Sequence, residues 1–237
     1  RCPAFVPSLR GRRNSMLTPK GIYTQITRLT TDLIESSLCD AQNFPSITDL
    51  SENTTEIGIT HSDNSIFLKS IPYAEMYQEV LKRNAYNIKM IDGALLTLLY
   101  RFKNNEIVTH RLSYFPAPDL VAFQNEPEIY MEDEIYLDIL DKRIVTVPLR
   151  FDFDNDEKIY QPIEHPISHL TLGQYENCRI PVSSALTPYQ FITFIIVNFY
   201  HTAHSKSRLS IYKEKFKDSM FPEEREFLHI NAPIYRN

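Results

Sequence analysis

Residues 144–154 read IVTVPLRFDFD, and residues 187–200 read TPYQFITFIIVNFY. The first run alternates. Val145, Val147, Leu149, Phe151 and Phe153 fall on one face of an extended strand, and Thr146, Pro148, Arg150, Asp152 and Asp154 on the other. The apolar set predicts a core face, and the set with every charge predicts a face turned to a cleft or to solvent. Pro148 predicts an edge position or a bulge, because it cannot donate to a ladder. The second run opens on Thr187-Pro188, a capping hydroxyl followed by proline at the first helical position. It is apolar almost all round, which predicts a buried helix over about 187–200. A half-polar strand beside a buried helix points to an α+β fold.

Neighbouring segments extend this reading. Ala94–Phe102 and Ile107–Phe115 alternate on either side of KNNE and predict a hairpin. Its faces split into His110, Leu112 and Tyr114 against Arg111, Ser113 and Phe115. Leu170–Tyr175 reads as a shorter strand. Thr18-Pro19 repeats the helix-start signal, and Ile22, Ile26, Leu29, Leu33 and Leu38 continue it as an amphipathic helix ending near Cys39. Residues 43–53 read as polar loop. Glu56–Thr60 and Ile66–Lys69 flank HSDNS as a second hairpin, and Pro72 opens a helix through Arg83. The Lys- and Glu-rich C-terminal part predicts a surface helix with a start at PEERE. The sum is an antiparallel or mixed sheet of five to seven strands, flanked by the 19–39 and 187–200 helices.

Composition bounds the function. With 237 residues, 43% hydrophobic and 23% charged, the chain suits one domain with an ordinary core. Only 5 glycines are present, which excludes the clustered glycines of dinucleotide and Walker A loops. Residues 1–15 hold Arg1, Arg10, Arg12 and Arg13 and no acid; the rest carries 21 basic against 30 acidic residues. An acidic body is unlike a general nucleic-acid coat, although a local basic pocket remains open to it. No apolar stretch follows the basic residues, so 1–15 read as an added or upstream extension rather than a signal peptide, with one domain over 16–237. Cys2, Cys39 and Cys178 lack metal or disulfide spacing and fit a reducing cytoplasm. The apolar runs are too short to span a bilayer. Residues 126–141 carry seven acids and read as a solvated or partner-docking face.

The chemistry concentrates between the strand and the buried helix. His165 and His169 are spaced H-x-x-x-H, which on a helix would suit zinc, but Pro166 argues for loop or strand. Asp152 and Asp154 at i and i+2 lie about 7 Å apart along one strand face and offer a divalent-metal alternative. Arg111, Arg150 and Arg179 have the forked guanidinium that grips phosphate. Histidines beside arginines suit metal-free RNA cleavage by acid–base transfer. The resulting expectation assigns His165 and His169 as acid and base, Asp152 as their orienting carboxylate and the three arginines as the phosphate grip. It needs no cofactor.

The combination VPLRFDFDND, HPISHLTLG, CRIPVSSALTPYQFITFIIVNFY and, upstream, MIDGALLTLLYRFKNNEIVTHRLSYFPAPDL resembles an uncharacterised bacterial family known as domain of unknown function 2290, over roughly residues 64–203. A fainter similarity is to toxins of bacterial toxin–antitoxin pairs, with Arg111, Arg150, Asp152, His165 and His169 in the corresponding roles. These resemblances imply a bacterial, cytoplasmic effector of toxin or phage-defence type acting on RNA. The alternatives are a non-enzymatic subunit of a larger defence complex, bound to an antitoxin or other protein partner, and a metal-dependent nuclease.

Overall fold

Asn104 and Asn105 both adopt left-handed backbone, with φ of 53° and 64°. Two consecutive positive φ values make the mirror-image turn whose twist matches a hairpin, and asparagine tolerates them. This turn joins β5 (Leu95–Lys103) to β6 (Glu106–Phe115) in register from Lys103↔Glu106 to Leu95↔Phe115. The computed structural model describes residues 17–59, 71–118, 147–175, 177–206 and 208–232. Within them the fold is α+β, built on one nine-stranded antiparallel sheet.

The remaining strands are β1 (Cys39–Gln42), β2 (Ser46–Ser51), β3 (Thr54–Gly58), β4 (Ile88–Met90), β7 (Leu149–Asp154), β8 (Ser168–Leu172) and β9 (Ile180–Pro181). The order is β1-β4-β5-β6-β7-β8-β9, with the β2–β3 hairpin laid against β5 through β3. Helix α1 spans Pro19–Glu35, α2 Tyr73–Lys82, α3 Pro188–Phe199, α4 His201–Lys206 and α5 Pro222–Arg225.

Strand alternation sorts the residues onto two faces. Leu98, Leu112, Phe151 and Leu170 form one row across β5 to β8, and Tyr100, His110, Phe153 and Ser168 the next. All eight are buried, and the apolar ones join a core with Ile22, Ile26, Leu29 and Leu33 of α1 and Phe191, Ile192, Ile195 and Ile196 of α3. Each such side chain contributes about 1.5–3 kcal/mol by leaving water. Helix α3 begins as expected: Gln190 N–H donates to the Thr187 hydroxyl, and the Gln190 side chain accepts from Thr187 N–H, a complete capping box. On the outer sheet face, Met76, Tyr77 and Val80 of α2 cover Leu95 and Phe115.

Several expectations are corrected. Among the described residues the sheet has nine strands rather than five to seven. Residues 43–53 are not all loop: Ser46–Ser51 is β2, paired with β3. Its mostly exposed residues hid the strand, because none of them packs into a core. Helix α1 stops at Glu35, where Ser37 turns left-handed at φ 57°, and Cys39 already belongs to β1. Pro148 precedes the central strand β7, where its carbonyl accepts from Gly173 N–H; Val147 is 39% exposed and does not face the core. The strand around residue 170 is Ser168–Leu172. Residues 208–217 are not helical, and the predicted surface helix shrinks to α5. Val145, Thr146, the acidic 126–141 stretch, Ile66–Lys69 and residues 1–15 lie outside the described residues.

His110 links the sheet to α3. Leu186 N–H donates to its Nε2 at 2.9 Å, just before the Thr187 cap. Burial pushes its pKa down from 6.5 to about 4, against the pull of Asp152 and of backbone carbonyls. A depressed histidine binds fewer protons folded than unfolded, so its contribution is complete above about pH 6.5 and is lost as pH falls towards 4. Between pH 7 and 4.5 this amounts to about 2–3 kcal/mol. Urea unfolding at the two pH values is expected to show that loss, and His110→Gln to reduce it by most of that amount. An unchanged difference in the variant would place the acid sensitivity elsewhere.

Candidate functional site

Strand register builds the site. Arg111 of β6 stands opposite Asp152 of β7, and Asp152 stands opposite His169 of β8. Directly opposed residues on one face lie about 4.5–5.5 Å apart at Cβ, so one row of the outer face brings a guanidinium, a carboxylate and an imidazole together. Arg150, two residues before Asp152, shares the face and lies in the next row with Thr97, Ser113 and Thr171.

Asp152 is the hub. Arg111 Nε donates to its Oδ1 at 3.0 Å, and Arg150 Nε to its Oδ2 at 2.5 Å. The carboxylate side chain is 13% exposed, while the two arginines keep 27% and 30%. Burial alone would raise the Asp152 pKa; Arg150 and Arg111 together more than reverse this and hold it below the usual carboxylate range. Both guanidiniums thus sit at the surface with their inner edges fixed.

His169 Nε2 lies 3.8 Å from Asp152 Oδ2. Its Nδ1 lies 2.9 Å from the Pro166 carbonyl, which can only accept, so Nδ1 carries a proton. Burial lowers the pKa of His169; Asp152 and Pro166 oppose the shift, and His165 and Arg179 reinforce it. The neutral ring therefore presents a bare Nε2 towards the arginine–carboxylate row. The His165 ring stacks edge-on against it, with centroids 5.2 Å apart, and is less buried. Arg179 Nη1 donates to the Glu164 carbonyl at 3.2 Å, which holds it on the same side as His165.

Arg111, Arg150, Asp152, His165 and His169 thus come together, with Arg179 close enough for its charge to act on His169. One role differs from expectation: the Pro166 carbonyl orients His169, while Asp152 acts on it as a charge. The HPISH sequence carried that signal, since proline restricts the residue before it and shapes the turn. Asp154 lies apart from the cluster. Its Oδ1 accepts from Asp156 N–H at 3.0 Å, closing a turn after β7. Asp152 spends both oxygens on guanidiniums, a donor set suited to gripping anions. Among the described residues, no group of three or more His, Cys, Asp or Glu is placed to hold a metal ion. None of the described helices is long and apolar enough to cross a membrane.

A family model described as "Uncharacterized conserved protein (DUF2290)" matches residues 38–232, from the start of the sheet to the segment after α5. No curated protein and no solved structure matches the chain.

Proposed function

The chain belongs to the uncharacterised conserved family DUF2290, and we propose that it is an RNA-cleaving effector of toxin or phage-defence type whose site is the Arg111–Asp152–His169 row. The observation that carries this reading is the buried Asp152 clamped by two partly exposed arginines beside a buried, neutral histidine. Arg111 and Arg150 present a fixed double guanidinium to a phosphodiester, with Arg179 as a third cation.

The role of His169 follows from its neutral ring and its Nδ1 proton. His169 Nε2 takes the proton of a ribose 2′-hydroxyl, and the 2′-oxygen attacks the adjacent phosphorus. The P–O5′ bond breaks, and His165, in the role of general acid, gives a proton to the leaving oxygen. The products are a 2′,3′-cyclic phosphate and a 5′-hydroxyl. Asp152, 3.8 Å from Nε2, stabilises the imidazolium that forms at His169.

The test compares the wild type with His169→Asn and Arg150→Ala, each shown folded by circular dichroism. Substrates are an RNA oligonucleotide and the same oligonucleotide with 2′-deoxyribose throughout. Cleavage of the RNA alone, growth arrest on expression, and loss of both in each folded variant are expected. Wild-type activity in folded variants, or equal cleavage of the deoxy substrate, overturns the reading.

A further inference from the structure

The connection from β7 to β8 carries His165 on a strained turn. Glu164 N–H donates to the Pro162 carbonyl at 2.7 Å across Ile163, whose φ is 67°. A γ-turn with positive φ at its central residue is rare and strained. The other non-glycine residues with positive φ, among the described residues, are Ser37, Asn53, Asn84, Asn104 and Asn105. Asparagine tolerates that region, whereas a β-branched side chain crowds its own backbone there. Ile163 is 39% exposed and belongs to neither core cluster, so core packing does not account for the strain. Strain of this kind persists where the surroundings over-determine the backbone, and it collects at functional sites.

The surroundings here belong to the charged site. Gln161 N–H donates to the His165 carbonyl at 3.2 Å and His165 N–H to the Gln161 carbonyl at 2.8 Å, which pinches the turn shut. Arg179 Nη1 donates to the Glu164 carbonyl at 3.2 Å. Pro166 follows directly and restricts His165 to extended backbone. The Pro166 carbonyl in turn accepts the Nδ1 proton of His169. The base of the loop is tied to the sheet, where Asp154 N–H donates to the Ile167 carbonyl at 2.9 Å and Asn155 N–H to the Val108 carbonyl at 3.0 Å. One short arm, residues 161–169, thus holds His165, His169 and Arg179 against each other, with Ile163 at its apex.

We propose that Ile163 is a positioning residue of the RNA-cleaving site. Its left-handed backbone closes the turn that sets the His165 ring against His169 and presents the Glu164 carbonyl to Arg179. This rests on the cleavage reading and adds how the acid is placed: by the backbone on either side of His165, through a turn that most residues resist. The role belongs to the main chain of residue 163 and not to its side chain.

The experiment uses the full chain and its Ile163→Asn, Ile163→Gly and Ile163→Pro variants. Asparagine and glycine accept the left-handed turn, and proline, locked at a φ of about −65°, does not. One readout is the nuclear Overhauser contact between the His165 and His169 rings in RNA-free protein; the other is cleavage kinetics. The asparagine and glycine variants are expected to keep the ring contact and a kcat within about twofold of wild type. The proline variant is expected to lose the contact and about tenfold to a hundredfold in kcat, with KM within about twofold, and a 5′-thio leaving group is expected to restore its rate. Equal loss in all three folded variants would move the role to the side chain, and full cleavage by the proline variant would remove it; either result overturns the proposal. So does a wild type without the ring contact. If the proline chain does not fold, the asparagine and glycine variants and the wild-type contact still decide. A wild type that shows the ring contact and cleaves no RNA overturns the cleavage reading instead.

Discussion

Asp152→Ala is expected to cost about 3 kcal/mol of stability and to abolish RNA cleavage. Removing one partner of a buried ion pair leaves the others desolvated without compensation, and here two guanidiniums lose their common acceptor. Arg111 and Arg150 retain 27% and 30% exposure and can recover some hydration, which keeps the loss at the lower end for such pairs. Asp152→Asn keeps the shape and one acceptor, so a smaller loss is expected. Urea unfolding at pH 7 gives both values. A negligible loss in the alanine variant would show that the arginines do not depend on Asp152. The clamp also yields a pH dependence. The folded Asp152 pKa is depressed, so its contribution is present above the ordinary carboxylate range and falls away as pH drops through its lower folded value.

His165→Ala is expected to lower the cleavage rate by about 10²–10³-fold with little change in stability. His165 is half-buried, stacks on His169 and makes no side-chain hydrogen bond within the described site, so little packing is lost. In the proposed mechanism its loss removes the proton donor to the leaving oxygen while the arginine grip remains. An RNA analogue with a 5′-thio leaving group needs no such proton, and its cleavage by the variant is expected to approach the wild-type rate. Full cleavage of ordinary RNA by the folded variant would assign the acid to another group. A rate loss that the thio analogue fails to rescue would make His165 a support for His169 rather than a donor.

Which residues face inward was legible before the structure. The split of Arg150 and Asp152 from Phe151 and Phe153, and of Arg111 from His110, follows from the strand period alone. So does the start of α3, because Thr187-Pro188 sets a capping hydroxyl before a proline at the first helical position. Register was not legible. Arg111 faces Asp152 because β6 and β7 pair, yet more than 30 residues separate the strands and no short turn fixes their offset. A slip of one residue would have put Phe151 or Phe153 beside Arg111. The apolar faces reject that slip, but only once both strands are known to share a core. The hub role of Asp152 depends on that register and was equally hidden. Strand β2 was missed for a different reason: its side chains are mostly exposed and join no core cluster, so no apolar alternation marks it. The Lys-rich 208–217 segment misled in the opposite direction: its composition favours a helix, yet it runs as irregular chain, held to α1 where Ser210 N–H donates to Asp32 at 2.7 Å.

The charged row takes one residue from each of three adjacent strands, at positions 111, 152 and 169. A chain emerging from the ribosome therefore exposes Arg111 long before its two partners exist. No fragment that ends before β8 can hold the full set, and neither can a chain whose β7 has peeled away. Assembly of the charged row is thereby tied to completion of the sheet, and a chain cut short before β8 cannot form it.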